Sequence, residues 1–423
     1  MATSATPPAP SVAPPPIRVG VVLAGGSARG AYEVGVVQYI VEDVARSLGR
    51  DVPIDVLCGT SAGSINCVML AGHADKPAAR GQMLANRWTS LQLADVVRPQ
   101  ARELFRLPGR FLGWSGDDRD ELRPGRRGGF FDPSGVEDIV RASVRFEDIG
   151  EHLRHGRLAA LSISTTHIAS GRTVVFVQRR EGGVPRWGSD PTMVARPAEM
   201  RAEHVLASAA VPLLFPAVEV DGQYYCDGGL RQNVPLSPAR RLGANMLLVV
   251  NPRYIREDEV PVPAVAHERE RKYPDPFFVL GKAMNALLLD RIENDIDRLQ
   301  RLNVVLDAGA RSFGPDFATK LNRELRRSGE SPLRPLDVVY IRASEDIGVL
   351  AAEYARSDEF ARRSKGVVGR LIRRIAEGES EADLLSYVLF DGPFAARLIE
   401  MGRNDARSRH DELVGFFARR LAD

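Results

Sequence analysis

The chain has 423 residues, 44% of them hydrophobic and 26% charged, and a formal net charge of +2. That length builds one large domain or two modest ones. The near-neutral charge gives no footing to a nucleic-acid module, for which no recognised binding motif is found either, and no apolar run reaches the length of a bilayer span. The N-terminal stretch MATSATPPAPSVAPPP lacks the basic start and apolar core of a secretory signal. Over residues 1–16 it reads as a disordered Pro/Ala-rich tail. The three cysteines, Cys58, Cys67 and Cys226, are odd in number and sit in apolar contexts. They predict free buried thiols and a reducing, cytoplasmic setting.

Val19–Leu23 is a short apolar run ending in Ala24-Gly25-Gly26, the pattern of a buried strand. A helix is predicted from about Ala31 to Leu48, with Val34, Val37, Ile40, Val41, Val44 and Leu48 near helical spacing. Ile54–Cys58 reads as a second strand that runs into Gly59-Thr60-Ser61-Ala62-Gly63 and then an apolar helix through Leu70. This order predicts an α/β sandwich with a largely parallel sheet. Residues 98–129 are rich in Arg, Gly and Pro and read as an irregular insertion. Its Arg98, Arg102, Arg106 and Arg110 stand beside Phe105, Phe111 and Leu112. The favoured reading is a lid or packing segment with solvated arginines; the second is contact with an anionic membrane surface. Strands are predicted again at Leu158–Ser164 and Thr173–Gln178, in a hairpin around Asp221-Gly222, and at Met246–Val250. Asp275-Pro276 starts a long helix with the stripe Leu288, Ile292, Ile296 and Leu299. Leu336–Ile341 adds a last strand, and the remainder reads as helical with a break at Asp391-Gly392-Pro393.

Chemistry concentrates in three places. Gly59-Thr60-Ser61-Ala62-Gly63 matches G-x-S-x-G, in which small residues two places either side of a serine let a tight strand-to-helix turn project the hydroxyl. The Ala62 N–H at the helix start would then face a reacting oxygen. A serine nucleophile needs a base. The seven histidines are His73, His152, His155, His167, His204, His267 and His410, and none has an evident strand-end setting. A histidine triad of the usual late order would call on His267 or His410, both in charged runs that read as solvated surface. The other choice is a carboxylate. Asp227 follows a strand and precedes Gly228 and Gly229, which permit an unusual turn, although an ordinary turn aspartate gives the same pattern. Third, Gly25-Gly26-Ser27-Ala28-Arg29-Gly30 follows the first strand, and its backbone N–H groups can bind developing negative charge. It lacks both the glycine spacing of a dinucleotide loop and the Gly-Lys-Ser/Thr of a P-loop.

In this order, GGSARG at 25–30, GTSAG at 59–63 and DGG at 227–229 resemble the patatin-like phospholipases. The stretch ASAAVPLLFPAVEVDGQYYCDGGLRQNVPLSPA is similar to that family around its aspartate. The resemblance is clear over residues 17–251 and weaker beyond. It implies a three-layer sandwich with a mostly parallel central sheet, a catalytic domain over 17–345 and a helical C-terminal extension over 346–423. It further implies cleavage of carboxylic esters of phospholipids or lysophospholipids by a Ser61–Asp227 dyad, without histidine, metal or cofactor. Gly25, Gly26 and Ser27 would supply the oxyanion site, with Ala62 as a further donor. Arg29, at the family's basic position, would hold the loop, form a salt bridge or meet substrate phosphate. Gly30 would belong to the same oxyanion and substrate loop, and Gly59, Gly63, Gly228 and Gly229 would be motif glycines. The partners implied are a lipid ester and, peripherally, a membrane surface; nothing sets an oligomeric state. One departure is Ser27, where the family has its third glycine. It leaves open a lipid-binding or regulatory relative with little turnover; a general esterase is a separate alternative, since the motifs do not distinguish among ester substrates.

Overall fold

The structure is a computed structural model that describes residues 16–98, 126–129, 131–185, 187, 190–255, 279, 281–282, 284–286, 292–328, 333–378 and 383–421. The tail to residue 15, most of the 98–129 insertion, His267 and the Asp275-Pro276 helix start lie outside them.

Ten strands form one sheet among the described residues: β1 Val19–Leu23, β2 Val56–Thr60, β3 Arg126–Arg127, β4 Ala160–His167, β5 Thr173–Arg179, β6 Met193–Pro197, β7 Ala217–Val220, β8 Gln223–Asp227, β9 Met246–Asn251 and β10 Asp337–Arg342. The main order is β10-β9-β1-β2-β4-β8-β7-β3, with β5 and β6 branching from β4. The centre, β10-β9-β1-β2-β4, is parallel throughout, while β8, β7 and β3 add an antiparallel flank. β1, β2 and β9 are buried along their whole length, which is why β1 and Met246–Val250 of β9 read as apolar runs rather than alternating ones.

Both faces of the sheet are covered, so the sandwich has three layers. On one face Val22, Val56, Cys58, Leu247 and Val249 pack under Leu236, Ala239 and Leu242 and under Ile296 and Leu299 of the helix Ile292–Phe313. The larger core lies on the other face, with Val21, Leu23, Leu57, Leu161 and Ile163. There α1 (Gly30–Tyr39, continued by a π turn at Ile40–Val44 and a last turn at Ala45–Leu48) lies beside α2 (Ala62–Gly72) and α3 (Arg80–Thr89), with α4 (Ala202–Ser208) nearby.

The spacing along α1 predicts a one-sided apolar helix, yet all ten residues of Gly30–Tyr39 are buried. A second layer covers its outer side. Of the C-terminal helices α5 (Ile347–Arg356), α6 (Asp383–Val388), α7 (Gly392–Ser408) and α8 (His410–Leu421), α7 lies along α1, α8 meets its π turn and last turn, α6 meets the 3-10 turn before it, and α5 packs on α6 and α7. Side chains at Gly35 and Gly402 would collide with the backbone at Ile399 and Tyr32, so these two glycines set the close approach of the helices. Phe394 and Leu398 of α7 and Phe416 and Phe417 of α8 belong to the same apolar core as β1. The interruption at Asp391-Gly392-Pro393 falls between α6 and α7, with Pro393 in the first turn of α7.

Two local readings are corrected. Residues 126–127 of the stretch read as irregular pair antiparallel with β7, and Arg126 is buried against Glu137. Cys226 is half-buried, unlike the fully buried Cys58 and Cys67.

Candidate active site

The candidate residues meet where the parallel strands end. β2 stops at Thr60, α2 begins at Ala62, and Ser61 alone makes the turn with φ 52° and ψ −124°. A side chain with positive φ costs about 1–2 kcal/mol, and the surroundings hold it there. The Ser61 N–H donates to Ser208 Oγ at 2.8 Å, and that hydroxyl donates to the Ser164 carbonyl at 2.7 Å. Ser64 Oγ donates to the Ser61 carbonyl at 2.6 Å. A Cβ on Gly59 would overlap the Gly63 carbonyl, and one on Gly63 would overlap the carbonyls of Leu23 and Ala24. The spacing of G-x-S-x-G is thus the spacing at which strand, turn and helix fit together.

Asp227 closes β8, which pairs with the far half of β4 while the near half of β4 pairs with β2. This arrangement brings the aspartate to the elbow. Its backbone is fixed at both ends, the N–H donating to the Ala210 carbonyl at 2.9 Å and the carbonyl accepting from Thr166 Oγ1 at 2.9 Å. Gly229 N–H donates to Oδ1 at 2.7 Å. A Cβ on Gly228 would overlap the Ser164 carbonyl, so that position too is closed to larger residues. Oδ2 has no partner of good hydrogen-bond geometry, and the Ser61 hydroxyl is the side-chain donor near enough to lower the carboxylate's pKa. Such hydrogen bonds are commonly loose without substrate and tighten in the reacting complex. Burial outweighs both donors and pushes the Asp227 carboxyl up to about 7. Ser61 and Asp227 are 3% and 0% exposed.

The glycine-rich loop approaches from β1. Gly25 gives its N–H to the Asn233 carbonyl at 3.0 Å, and its carbonyl accepts from Asn233 Nδ2 at 3.0 Å. The expectation that Gly25 offers its N–H to an oxyanion is therefore corrected. Its importance is steric, since a Cβ there would lie 3.2 Å from Ser61 Cβ and collide with Asn233. Among the described residues, the N–H groups of Gly26, Ser27 and Ala62 donate to no protein acceptor. Ser27 has φ 53° and lines the pocket beside Ser61, so it holds the backbone shape for which glycine is usual. Gly30 lets Ala62 and the Trp88 ring come close. Arg29 is turned away from the pocket and buried; its Nη2 lies 3.6 Å from Asp383 Oδ1.

Ser61 lies in a narrow apolar pocket, a cavity of about 40 Å³ lined by Ile65, Met69, Trp88, Leu91, Val136, Ile139, Phe215 and Phe390. Trp88 stacks on Phe390 at 6.4 Å, and its Nε1–H donates to Asn66 Oδ1 at 2.9 Å. Asn66 Nδ2 in turn donates to Glu33 Oε2 at 2.9 Å. Glu33 is fully buried, which raises its pKa well above the usual carboxylate range. Arg87, also at the wall, is tied to Ser143 Oγ and the Ile139 carbonyl at 2.9 Å each.

No described histidine lines this pocket. His410, read as solvated, instead bridges Tyr39 Oη at 3.0 Å and Ser47 Oγ at 3.1 Å. His204 is buried against Phe176, and burial lowers its pKa to about 4. Among the described residues no group of three or more His, Cys, Asp or Glu side chains is placed to hold a metal, and no helix is long and apolar enough to cross a membrane. The sequence reading missed Ser208, Asn233, Asn66 and Asp383, which lie outside the three motifs and touch them through the fold alone.

A family model for the patatin-like phospholipases matches residues 21–240, just over half of the chain. Proteins named patatin-like phospholipase domain-containing protein 6 from Homo sapiens and Mus musculus are each 24% identical over 233 residues, which is 55% of this chain and 13% of theirs. A cGAMP-activated phospholipase from Pseudomonas aeruginosa is 26% identical over 219 residues, 50% of this chain and 53% of that protein. The chain thus spans about half, or far less, of the length of these relatives. Among solved structures, VipD from Legionella pneumophila is 13% identical with a TM-score of 0.34, over 94% of this chain and 67% of that one. Human GIVD cytosolic phospholipase A2, in complex with methyl gamma-linolenyl fluorophosphonate, is 11% identical with a TM-score of 0.40, over 96% of this chain and 59% of that one. The loop at Gly25–Gly30, the elbow at Ser61 and the aspartate at 227 all fall inside the matched span, and the chain belongs to the patatin-like phospholipase family.

Proposed function

We propose that this protein is a serine acyl hydrolase that cleaves carboxylic esters of phospholipids or lysophospholipids through a Ser61–Asp227 dyad. The observation that carries the reading is the junction itself. A serine held at positive φ faces a fully buried carboxylate at the end of an apolar pocket. Apolar walls suit an acyl chain, and the family supports a lipid ester as the substrate class.

In the first half-reaction Ser61 Oγ attacks the ester carbonyl carbon while its proton passes to Asp227 Oδ2. The carbonyl oxygen takes up the negative charge and is met by the free N–H groups of Gly26 and Ser27, with Ala62 as third donor. Collapse of the tetrahedral species breaks the carbon–oxygen bond to the alcohol, which leaves with the proton from Asp227. Water then attacks the acyl-serine ester, gives a proton to Asp227 and takes the acyl group away as the acid, and the proton returns to Ser61. Gly229 holds Oδ1, so Oδ2 is the oxygen left for both transfers.

The test is hydrolysis of a p-nitrophenyl ester and a phospholipid panel in EDTA by wild type, Ser61→Ala and Asp227→Asn. Turnover by wild type that both folded variants lose supports the dyad. Equal turnover by a folded Asp227→Asn variant rejects Asp227 as the base.

A further inference from the structure

Arg29 stands two residues after Ser27, in the 3-10 turn that carries the oxyanion loop into α1. Its side chain is 4% exposed, and it is held from the far end of the chain. Nε donates to Ser386 Oγ at 2.7 Å, Nη2 lies 3.6 Å from Asp383 Oδ1, and the guanidinium carbon sits 4.2 Å from the centre of the Tyr387 ring. All three partners belong to α6. A fourth contact runs from Nη2 to Asn285 Oδ1 at 3.2 Å, and Tyr387 Oη donates to the same oxygen at 2.7 Å. Asp383 is shared. Its Oδ2 accepts from Lys282 Nζ at 2.6 Å, and the two cations Arg29 and Lys282 hold its carboxyl below the usual range despite burial.

A buried guanidinium needs a carboxylate or it destabilises the site that holds it. Here the guanidinium is anchored to the segment that supplies the Gly26 and Ser27 N–H groups. We propose that Asp383 is a positioning residue for the reaction at Ser61. By pairing with Arg29, with Ser386 and Tyr387 completing the clamp, it fixes the loop in the shape that turns those N–H groups toward the reacting oxygen. This inference rests on the hydrolase reading above and adds to it. The C-terminal helices then hold part of the active site in place as well as covering α1. Donors aimed at a developing oxyanion act through their preset geometry, so loosening the loop lowers turnover more than it weakens binding.

The test compares wild type with Asp383→Asn, Asp383→Glu, Ser386→Ala and Phe416→Leu, the last thinning the core under α8 far from the loop. Readouts are kcat and KM on a p-nitrophenyl ester, the rate of covalent labelling by a fluorophosphonate, and the melting temperature. Asp383→Asn is expected to lower kcat and the labelling rate about tenfold with KM within about twofold, and Asp383→Glu to recover part of the loss. Ser386→Ala is expected to lose roughly threefold by the same route, and it serves alone if Asp383→Asn does not fold. Phe416→Leu should lose melting temperature and keep kcat. If Asp383→Asn or Ser386→Ala labels at the wild-type rate, or loses no more kcat than Phe416→Leu at equal loss of melting temperature, the clamp is structural alone and the proposal fails. If wild type itself takes up no fluorophosphonate, the hydrolase reading fails and the proposal falls with it.

Discussion

Ser27 and Ser61 occupy matching places in the fold. Each follows a buried parallel strand, β1 and β2, each leads into a helix, and their φ angles are 53° and 52°. They are secured in opposite ways. The turn at Ser61 is held by short hydrogen bonds, to Ser208 and from Ser64, and by two glycines that no larger residue can replace. The turn at Ser27 is held through Arg29 by α6, more than 350 residues later. An elbow with local supports keeps its shape wherever strand and helix meet, whereas a loop with a distant support is only as fixed as the packing of the C-terminal helices.

The sharpest way to break this comparison is at the chemistry the two turns share. Asp227→Asn keeps the shape of the side chain and removes its basicity. It is expected to lower kcat/KM by about a thousandfold or more with the fold retained, measured on a p-nitrophenyl ester. In wild type kcat/KM should rise with pH through a midpoint near 7, as Asp227 loses its proton.

The same carboxyl affects stability, with the opposite preference. Its folded pKa of about 7 lies above the unfolded value, so between about pH 4 and 7 the folded chain keeps a proton that the unfolded chain has released. Stability therefore falls as pH rises through that window. Asp227→Asn should be more stable than wild type at pH 8 by up to about 4 kcal/mol, and the gain should vanish below about pH 4, measured by urea unfolding. A gain independent of pH would show that Asp227 is not the buried ionising group. The site is thus charged at a cost in stability, as pre-organised catalytic groups commonly are.

Gly63→Ala tests the local support of the elbow. Its methyl has no room beside the Leu23 and Ala24 carbonyls, and a loss of about 2–4 kcal/mol is expected in urea unfolding. The smallest effect is expected at Ser27→Gly. It relieves the positive φ, gains at most about 1 kcal/mol against the added freedom of the unfolded chain, and leaves the fluorophosphonate labelling rate within about threefold. A tenfold change there would show that the side chain at 27, and not the Arg29 clamp, sets the loop.

The parts of the molecule that were legible in the sequence are those whose cause is local. β1 and β9 are buried on both faces and read as apolar runs, and the Asp221-Gly222 hairpin carries its turn residues with it. The turns at Ser61 and Asp227 were legible because the glycines that make them feasible sit within two residues. β6 was missed: Met193–Pro197 is half-exposed, contains Arg196 and ends in proline, so neither alternation nor β-propensity marks it. The burial of α1 on every side was missed because it depends on α7, more than 360 residues away. Ser208, Asn233 and Asp383 carry no pattern of their own. Each is an ordinary polar residue until the chain folds and sets it against a motif.

The most direct test of the account is the site and pH dependence of fluorophosphonate labelling, read by peptide mass. One modified residue is expected, Ser61, with a rate that rises through pH of about 7 and collapses in the folded Asp227→Asn variant. Labelling at another residue, or an equal rate in that variant, would contradict the dyad.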